Sequence, residues 1–254
     1  MKINIPQGWH DISTELFIEL SKIAESEFNS FSVYNLEVLS IITDTDKEDD
    51  MWQDMDTDEL IDIYKKSKWL LSEPHKKHKK NIDTLSLSKL TNMTLGEFID
   101  IEHFFSINPV ENIHIIAAIL YKNIKKDKWN NNITEPYEYD VYERSNQYLL
   151  MKITDIYGII NYYNDWKKDF MDNYSNLFEQ NIELNEDEMF EGLDEDEIVE
   201  LKKDIENDNK IEKWNWERII YQLANNDITK FNDILNINII LIFNLLSMKK
   251  DLNI

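Results

Sequence analysis

The chain has 254 residues, 50 acidic against 27 basic side chains for a formal net charge of -23, and a 42% hydrophobic and 12% aromatic content. So many apolar and aromatic side chains exclude a disordered acidic chain and suffice for a sizeable core, in one large helical domain or two smaller ones. Having no cysteine, the chain is excluded from disulfides, thiolate metal sites and cysteine nucleophiles, and its acidic balance repels phosphate backbones at long range.

Glycine and proline number only four each, which implies long helices and few tight turns. In chain order, the first helix is predicted from Ser13 to about Glu25, with Leu16, Leu20 and Ile23 on one face and Phe17 and Ala24 widening it. A second, Val33 to Thr43, has Ser32 as its cap and buries Leu36, Leu39 and Ile42. Asp56 with Glu59 forms a capping-box start for a third, which runs to about Leu71 and is stopped by Pro74. The run HKKHKK at 75–80 is a basic surface patch, and residues 82–87 alternate enough for a short strand, paired with 137–139.

The segment MTLGEFIDIEHFFSINPVENIHIIAAILY, 93–121, carries two helix starts. Thr94 with Glu97 makes a reciprocal capping box, stapled by Met93 and Phe98; Asn108 caps the second helix, with Pro109 at its first position and Glu111 repeating the box. A tight helical hairpin is expected from them, followed by a polar loop, KNIKKDKWNNNITEP. Residues 141–151 read as a helix, and Thr154 as the cap of a long one to about Leu177 with the stripe Ile156, Ile159, Ile160, Tyr163, Phe170, Tyr174 and Leu177. Tyr157, Tyr162 and Trp166 fall partly off that stripe and are the expected aromatic partner-binding surface.

Between Glu183 and Asp208 thirteen acidic side chains face only Lys202 and Lys203. The segment reads as part solvated helix, part linker. Its residues Glu186, Asp187, Glu188, Asp194, Glu195, Asp196 and Glu197 are the candidate docking carboxylates for a basic partner. Beyond it, Trp216, Ile219, Ile220 and Leu223 share one helix face, and helices near 228–234 and 239–248 follow. The fold class expected is mainly α, a multi-helix bundle around the central hairpin with room for one small β-hairpin. The organisation expected is a main helical domain over 1–180, an acidic linker or helix over 181–210 and a C-terminal helical subdomain over 211–254.

Chemical signatures are sparse. His75 and His78 stand i, i+3 but among four lysines that repel a divalent cation; His103 beside Glu102 and His114 near Glu111 read as ordinary helix residues. The acidic block does not match the calcium-loop spacing, and no phosphate-cradling glycine loop, nucleophile elbow or zinc-binding helix motif is present. No catalytic residue, cofactor or metal is therefore assigned, and an enzyme is not expected. The apolar run 237–248 is too short to span a bilayer and the opening MKINIPQGWHDIS lacks a signal peptide's apolar run, so a soluble chain without a membrane partner is expected.

The segments GWHDISTELFIELSKI, LEVLSIITD, TLGEFIDIEHFF, IAAILY, YDVYERS and WNWERIIYQLANNDITKFNDIL together resemble acidic helical proteins from the morphogenesis regions of tailed bacteriophages, including crAss-like phages. The resemblance implies a tail-assembly chaperone or minor virion protein, located in the virion or in the host cytoplasm during assembly. Its expected partners are phage structural proteins within an oligomeric assembly, met through aromatic helix faces and the acidic segment, with no direct nucleic acid. The alternative expectation, from the charge, is an acidic nucleic-acid mimic that inhibits a host DNA- or RNA-binding enzyme.

Overall fold

The computed structural model describes residues 5–24, 26, 31–46, 48, 52, 54–75, 77–126, 128–129, 132–134, 137, 141–178 and 215–253. They are mainly helical, with one small antiparallel sheet. The chain divides into two compact units, residues 1–90 with 100–167 and residues 91–99 with 168–254. The division falls inside two helices, after Ile99 and after Lys167.

In the first unit, α1 (Thr14–Ala24) starts where Ser13 Oγ accepts from Leu16 N at 3.2 Å. It packs on α2 (Phe31–Thr43), which begins at Phe31, so Ser32 lies inside the helix and is not its cap. Leu20, Leu39, Ile42, Trp52 and Ile63 form a small core there, Ile63 coming from α3 (Thr57–Lys66). The Asp56–Glu59 capping box is complete, but α3 stops at Lys66, and the chain tightens into a 3-10 turn over Lys68–Leu71 before Pro74 is reached.

β1 (Asn81–Ile82) and β2 (Leu85–Leu87) form a hairpin turned at Asp83, whose φ of 49° is a left-handed value that Asp tolerates. The partner of β2 is not 137–139 but β3 (Tyr121–Lys126), in the register Leu85↔Asn123, Ser86↔Lys122 and Leu87↔Tyr121. That register buries Ile82, Leu85 and Tyr121 together. β3 in turn pairs with β4 (Asn132–Thr134), so the stretch expected as a polar loop is largely a second hairpin. Tyr137 is buried instead, with its hydroxyl on the Asp100 carboxylate.

α4 (Leu95–Ile107) and α5 (Ile113–Leu120) follow the two expected starts. Glu97 N donates to Thr94 Oγ1 at 3.3 Å and Thr94 N to Glu97 Oε2 at 2.8 Å, the predicted reciprocal box. Asn108 Oδ1 accepts from Val110 N and Glu111 N at 3.0 and 3.2 Å, but those bonds close a turn that holds Pro109, and α5 begins only at Ile113. The principal neighbour of α5 is α6 (Val141–Leu149) rather than α4. There the Arg144 guanidinium donates to the Ala118 carbonyl in the last turn of α5, where a cation complements the helix end. The predicted single helix from Thr154 is divided: α7 (Ile153–Ile156) and α8 (Ile159–Asn173) are separated at Tyr157 and Gly158, and Thr154 lies within α7. α7 is tied to α1 by paired backbone bonds, Thr14 N to Met151 O at 2.8 Å and Ile153 N to Ile12 O at 3.0 Å.

The second unit repeats that device. Leu95 N donates to Ile237 O at 2.8 Å and Ile239 N to Met93 O at 2.9 Å, which joins the starts of α4 and the C-terminal helix and satisfies N–H groups that a helix start leaves without partners. The unit also holds α9 (Ser175–Phe178), α10 (Asn215–Leu223), α11 (Phe231–Leu235) and α12 (Ile239–Leu252). Its core is aromatic: Phe243 stands 4.7 Å from Phe170 and 6.0 Å from Phe98 between ring centroids, and Phe98 stands 5.5 Å from Trp216.

Candidate interaction surface

The sequence of α12, IILIFNLLSMKKDL, has too many apolar letters for one face. Ile239, Ile242 and Phe243 fill the buried side, against the aromatic core. Leu241, Leu245, Met248 and Leu252 recur at i, i+4, i+7 and i+11, which on a helix of 3.6 residues per turn is one narrow stripe on the other side. Among the described residues that stripe is largely uncovered: Leu241, Met248 and Leu252 are 62%, 47% and 60% exposed, and Leu245 is half-buried. Alternating steps of four and three residues are the seam spacing of paired helices. Covering such side chains is worth on the order of 1 kcal/mol each.

The stripe is held rigidly. Asn238 Oδ1 accepts from Ile240 N at 2.9 Å as the N-cap of α12, and Asn253 closes the C-terminus at φ 53°. Along the flank, Tyr174 donates to Asn244 Oδ1 and Asn176 to Ser247 Oγ, both at 2.7 Å. A helix so fixed presents a preformed face, which reduces the ordering cost of docking.

No protein-family model, curated protein or solved structure shows significant similarity to the chain. Function is therefore read from the surfaces and side chains themselves.

The three aromatic residues expected to face a partner are half-buried within the first unit. Tyr157 meets Phe17 edge to face at 5.5 Å; Tyr162 donates to Ser88 O at 3.2 Å and lies 4.5 Å from the His78 ring; Trp166 stands 5.8 Å from Tyr163. Each thus makes a contact within the first unit, and Tyr162 and Trp166 stand one turn apart on α8. Glu186, Asp187, Glu188, Asp194, Glu195, Asp196 and Glu197 lie outside the described residues.

Several of the ionisable groups weighed for chemistry are engaged in structure. Tyr163 donates to Glu102 Oε1 at 2.8 Å, and Lys167 Nζ reaches Glu102 Oε2 at 2.6 Å, so both oxygens of that carboxylate are occupied. Burial first, then the Glu102 charge, pushes the Tyr163 phenol far above its ordinary value. His103 is exposed, with its ring 5.2 Å from that of Phe104. His75 Nδ1 accepts from Lys77 N at 3.0 Å, while His78 packs on Tyr162, so the two imidazoles do not converge. Among the described residues no group of three or more His, Asp or Glu can hold a metal ion, and no helix is long and apolar enough to cross a membrane.

A cleft of about 700 Å³ between α1 and α2 is lined by Glu15, Glu19, Asp44 and Asp46 together with Leu16 and Ile41. Its carboxylates disfavour anionic ligands. The α12 stripe was the residue set missing from the sequence reading, although its signal is present there: separating the apolar letters of 239–252 by helical angle yields two opposite faces instead of one.

Proposed function

We propose that the chain is a bacteriophage virion or virion-assembly protein that acts by packing, not by catalysis, and that α12 docks an apolar helix of a phage structural neighbour within an oligomeric assembly. The phage setting is supported by the segmental resemblance. The packing mode is supported by one observation, the capped α12 stripe of Leu241, Leu245, Met248 and Leu252, whose spacing matches a paired-helix seam. A helix of the partner with apolar residues at the same spacing fits it, while Lys249 and Asp251 beside the seam give the rim opposite charges for orientation.

The test is co-migration of the chain with head or tail proteins in assembly intermediates, together with mass spectrometry of purified virions. Wild type should appear in at least one of the two. The double substitution Leu245→Lys with Met248→Lys should preserve the melting temperature and reduce co-migration about tenfold, because two charges would be desolvated in the seam. Absence of wild type from both fractions would sink the phage assignment. Undiminished co-migration of the double variant would sink the role of α12.

A further inference from the structure

We propose that the chain carries one helix-pair module twice, and that the α12 stripe is the second copy's counterpart of a face that the first copy covers with residues 78–88 of the same chain. In the second copy the cover is the apolar helix of a partner, so the inference rests on the docking role of α12.

Both copies are closed by the same clasp. Ser13 pairs antiparallel with Lys152, and Thr94 with Asn238, each bridge joining the residue before one helix to the residue before another. The backbone bonds correspond one by one. Thr14 N to Met151 O and Leu95 N to Ile237 O are both 2.8 Å; Ile153 N to Ile12 O and Ile239 N to Met93 O are 3.0 and 2.9 Å. The capping hydroxyls correspond as well, Ser13 Oγ accepting from Leu16 N at 3.2 Å and Thr94 Oγ1 from Glu97 N at 3.3 Å. So do the rings behind the clasp: Phe17 meets Tyr157 at 5.5 Å and 81°, and Phe98 meets Phe243 at 6.0 Å and 78°. The first residues of the four helices, Thr14, Leu95, Ile153 and Ile239, are all fully buried. Little of this shows in the letters, since of ISTELFI and MTLGEFI only the last two coincide. The clasp is made by backbone groups, which satisfy N–H donors that a helix start leaves over whatever the side chains are.

Aligned on the clasp, Leu241, Leu245 and Met248 fall at Asp155, Ile159 and Tyr162. Tyr157, where α7 gives way to α8, keeps helical angles of φ -52° and ψ -38°, so the alignment carries across that junction. Residues 78–88 lie over this face of the first copy. Lys79 Nζ holds Asp155 at 2.5 Å, Tyr162 donates to Ser88 O at 3.2 Å beside the His78 ring, and Ile159 is fully buried. In the second copy the three positions are apolar and, among the described residues, largely uncovered. A lysine-bearing cover like that of the first copy would lose its ion pair there and desolvate its charge. An apolar helix fits instead.

Two experiments on the full chain test the two halves of the proposal. Thr14 Oγ1 donates to Met151 O at 3.0 Å, so a hydroxyl at position 95 should find Ile237 O in the same way. In urea unfolding, Leu95→Thr should have an unfolding constant within about twofold of its isostere Leu95→Val, whereas an orphaned buried hydroxyl would raise it about fivefold or more and overturn the duplication. If neither variant folds, amide exchange of the wild type decides. Leu95 and Ile239 should be protected as Thr14 and Ile153 are, and rapid exchange of either pair would overturn the duplication.

The chain has no cysteine, so Leu241→Cys supplies a single thiol on the stripe. Its alkylation should be rapid in the isolated chain and about tenfold slower in the head or tail fraction with which the chain co-migrates, the factor for a cover worth about 1.4 kcal/mol. Equal rates in the two would overturn the receiving face. Slow alkylation of the isolated chain at every concentration would assign the cover to the chain itself, and slowing only at high concentration would assign it to a second copy; either overturns the partner helix. The Leu95→Thr comparison does not depend on docking, so a failure of the docking reading leaves the duplication measurable by itself.

Discussion

Two helices of nearly the same apolar character have opposite fates. α5 reads IHIIAAIL and every residue of it except His114 is buried; α12 opens IILIFNLL and buries Ile239, Ile242 and Phe243 while Leu241 stays 62% exposed. The cause lies in their neighbours. α5 is flanked by α6 and continues into β3, and its last turn is closed by Arg144 on the Ala118 carbonyl and by Tyr148 donating to Tyr121 O at 3.2 Å. Among the described residues, α12 meets the aromatic core on its Phe243 side, while Leu241, Met248 and Leu252 on its other side are exposed. Apolar composition therefore sets how much a helix can bury, and the supply of neighbouring elements decides how much it does.

The largest effect that sharpens this contrast is a pair of truncations. Ile116, fully buried in α5, should cost about 2–5 kcal/mol on change to Ala, whereas Leu241→Ala should stay within about 0.5 kcal/mol, because a surface truncation leaves no cavity. Urea unfolding of both variants measures the difference. Equal losses would mean that the stripe is covered in the free chain, and the docking face of α12 would be lost with it.

Legibility in the sequence followed the range of the interaction. The Asp56–Glu59 and Thr94–Glu97 boxes join residues three apart and were readable; so were the helices of 215–252, whose period is local. The strand β3 was not, because Tyr121–Lys126 has mainly polar letters and gains its conformation from Leu85–Leu87 more than thirty positions earlier. Asn108 shows an intermediate case. Its side chain accepts from the two N–H groups expected of a cap, but those bonds close a turn and do not cap the next helix, which starts at Ile113 with Asn112 before it. Tyr157 and Tyr162 were placed off the buried stripe by helical angle, and the half-burial they show comes from Phe17, Ser88 and His78, elements no local period encodes. The α12 stripe was fully legible as a period, but its exposure was not, since apolar spacing looks the same whether or not a neighbour fills it.

A smaller effect tests how α12 is held. Thr94→Ala removes the cap of α4 beside the backbone pairing of Met93 and Leu95 with Ile237 and Ile239, and should cost on the order of 1 kcal/mol. Asn108→Ala, which removes the acceptor of two turn N–H groups, should cost a similar amount. Differential scanning calorimetry of each single variant checks this, and an unchanged melting temperature for Thr94→Ala would show that the backbone pairing alone suffices at that start.

The smallest effect comes from the one residue of α5 that escapes full burial. Burial lowers the His114 imidazole below its ordinary value; a backbone bond at Glu111 opposes the shift and the Lys22 charge adds to it. Lys22 is itself 3.8 Å from Glu111, so the positive charge is held near the ring. With a lowered value in the folded chain, the unfolded chain binds the proton more readily as pH falls through about 6.5, and stability declines from there down to the lowered value. Melting temperatures between about pH 7.5 and 5 should therefore fall more for wild type than for His114→Gln, which has no proton to gain in that window. Carboxylates titrate lower and are shared by both proteins, so the difference between the two curves isolates the imidazole. Parallel curves would show that His114 is as well solvated as an exposed histidine, and that the enclosure of α5 is incomplete on that side.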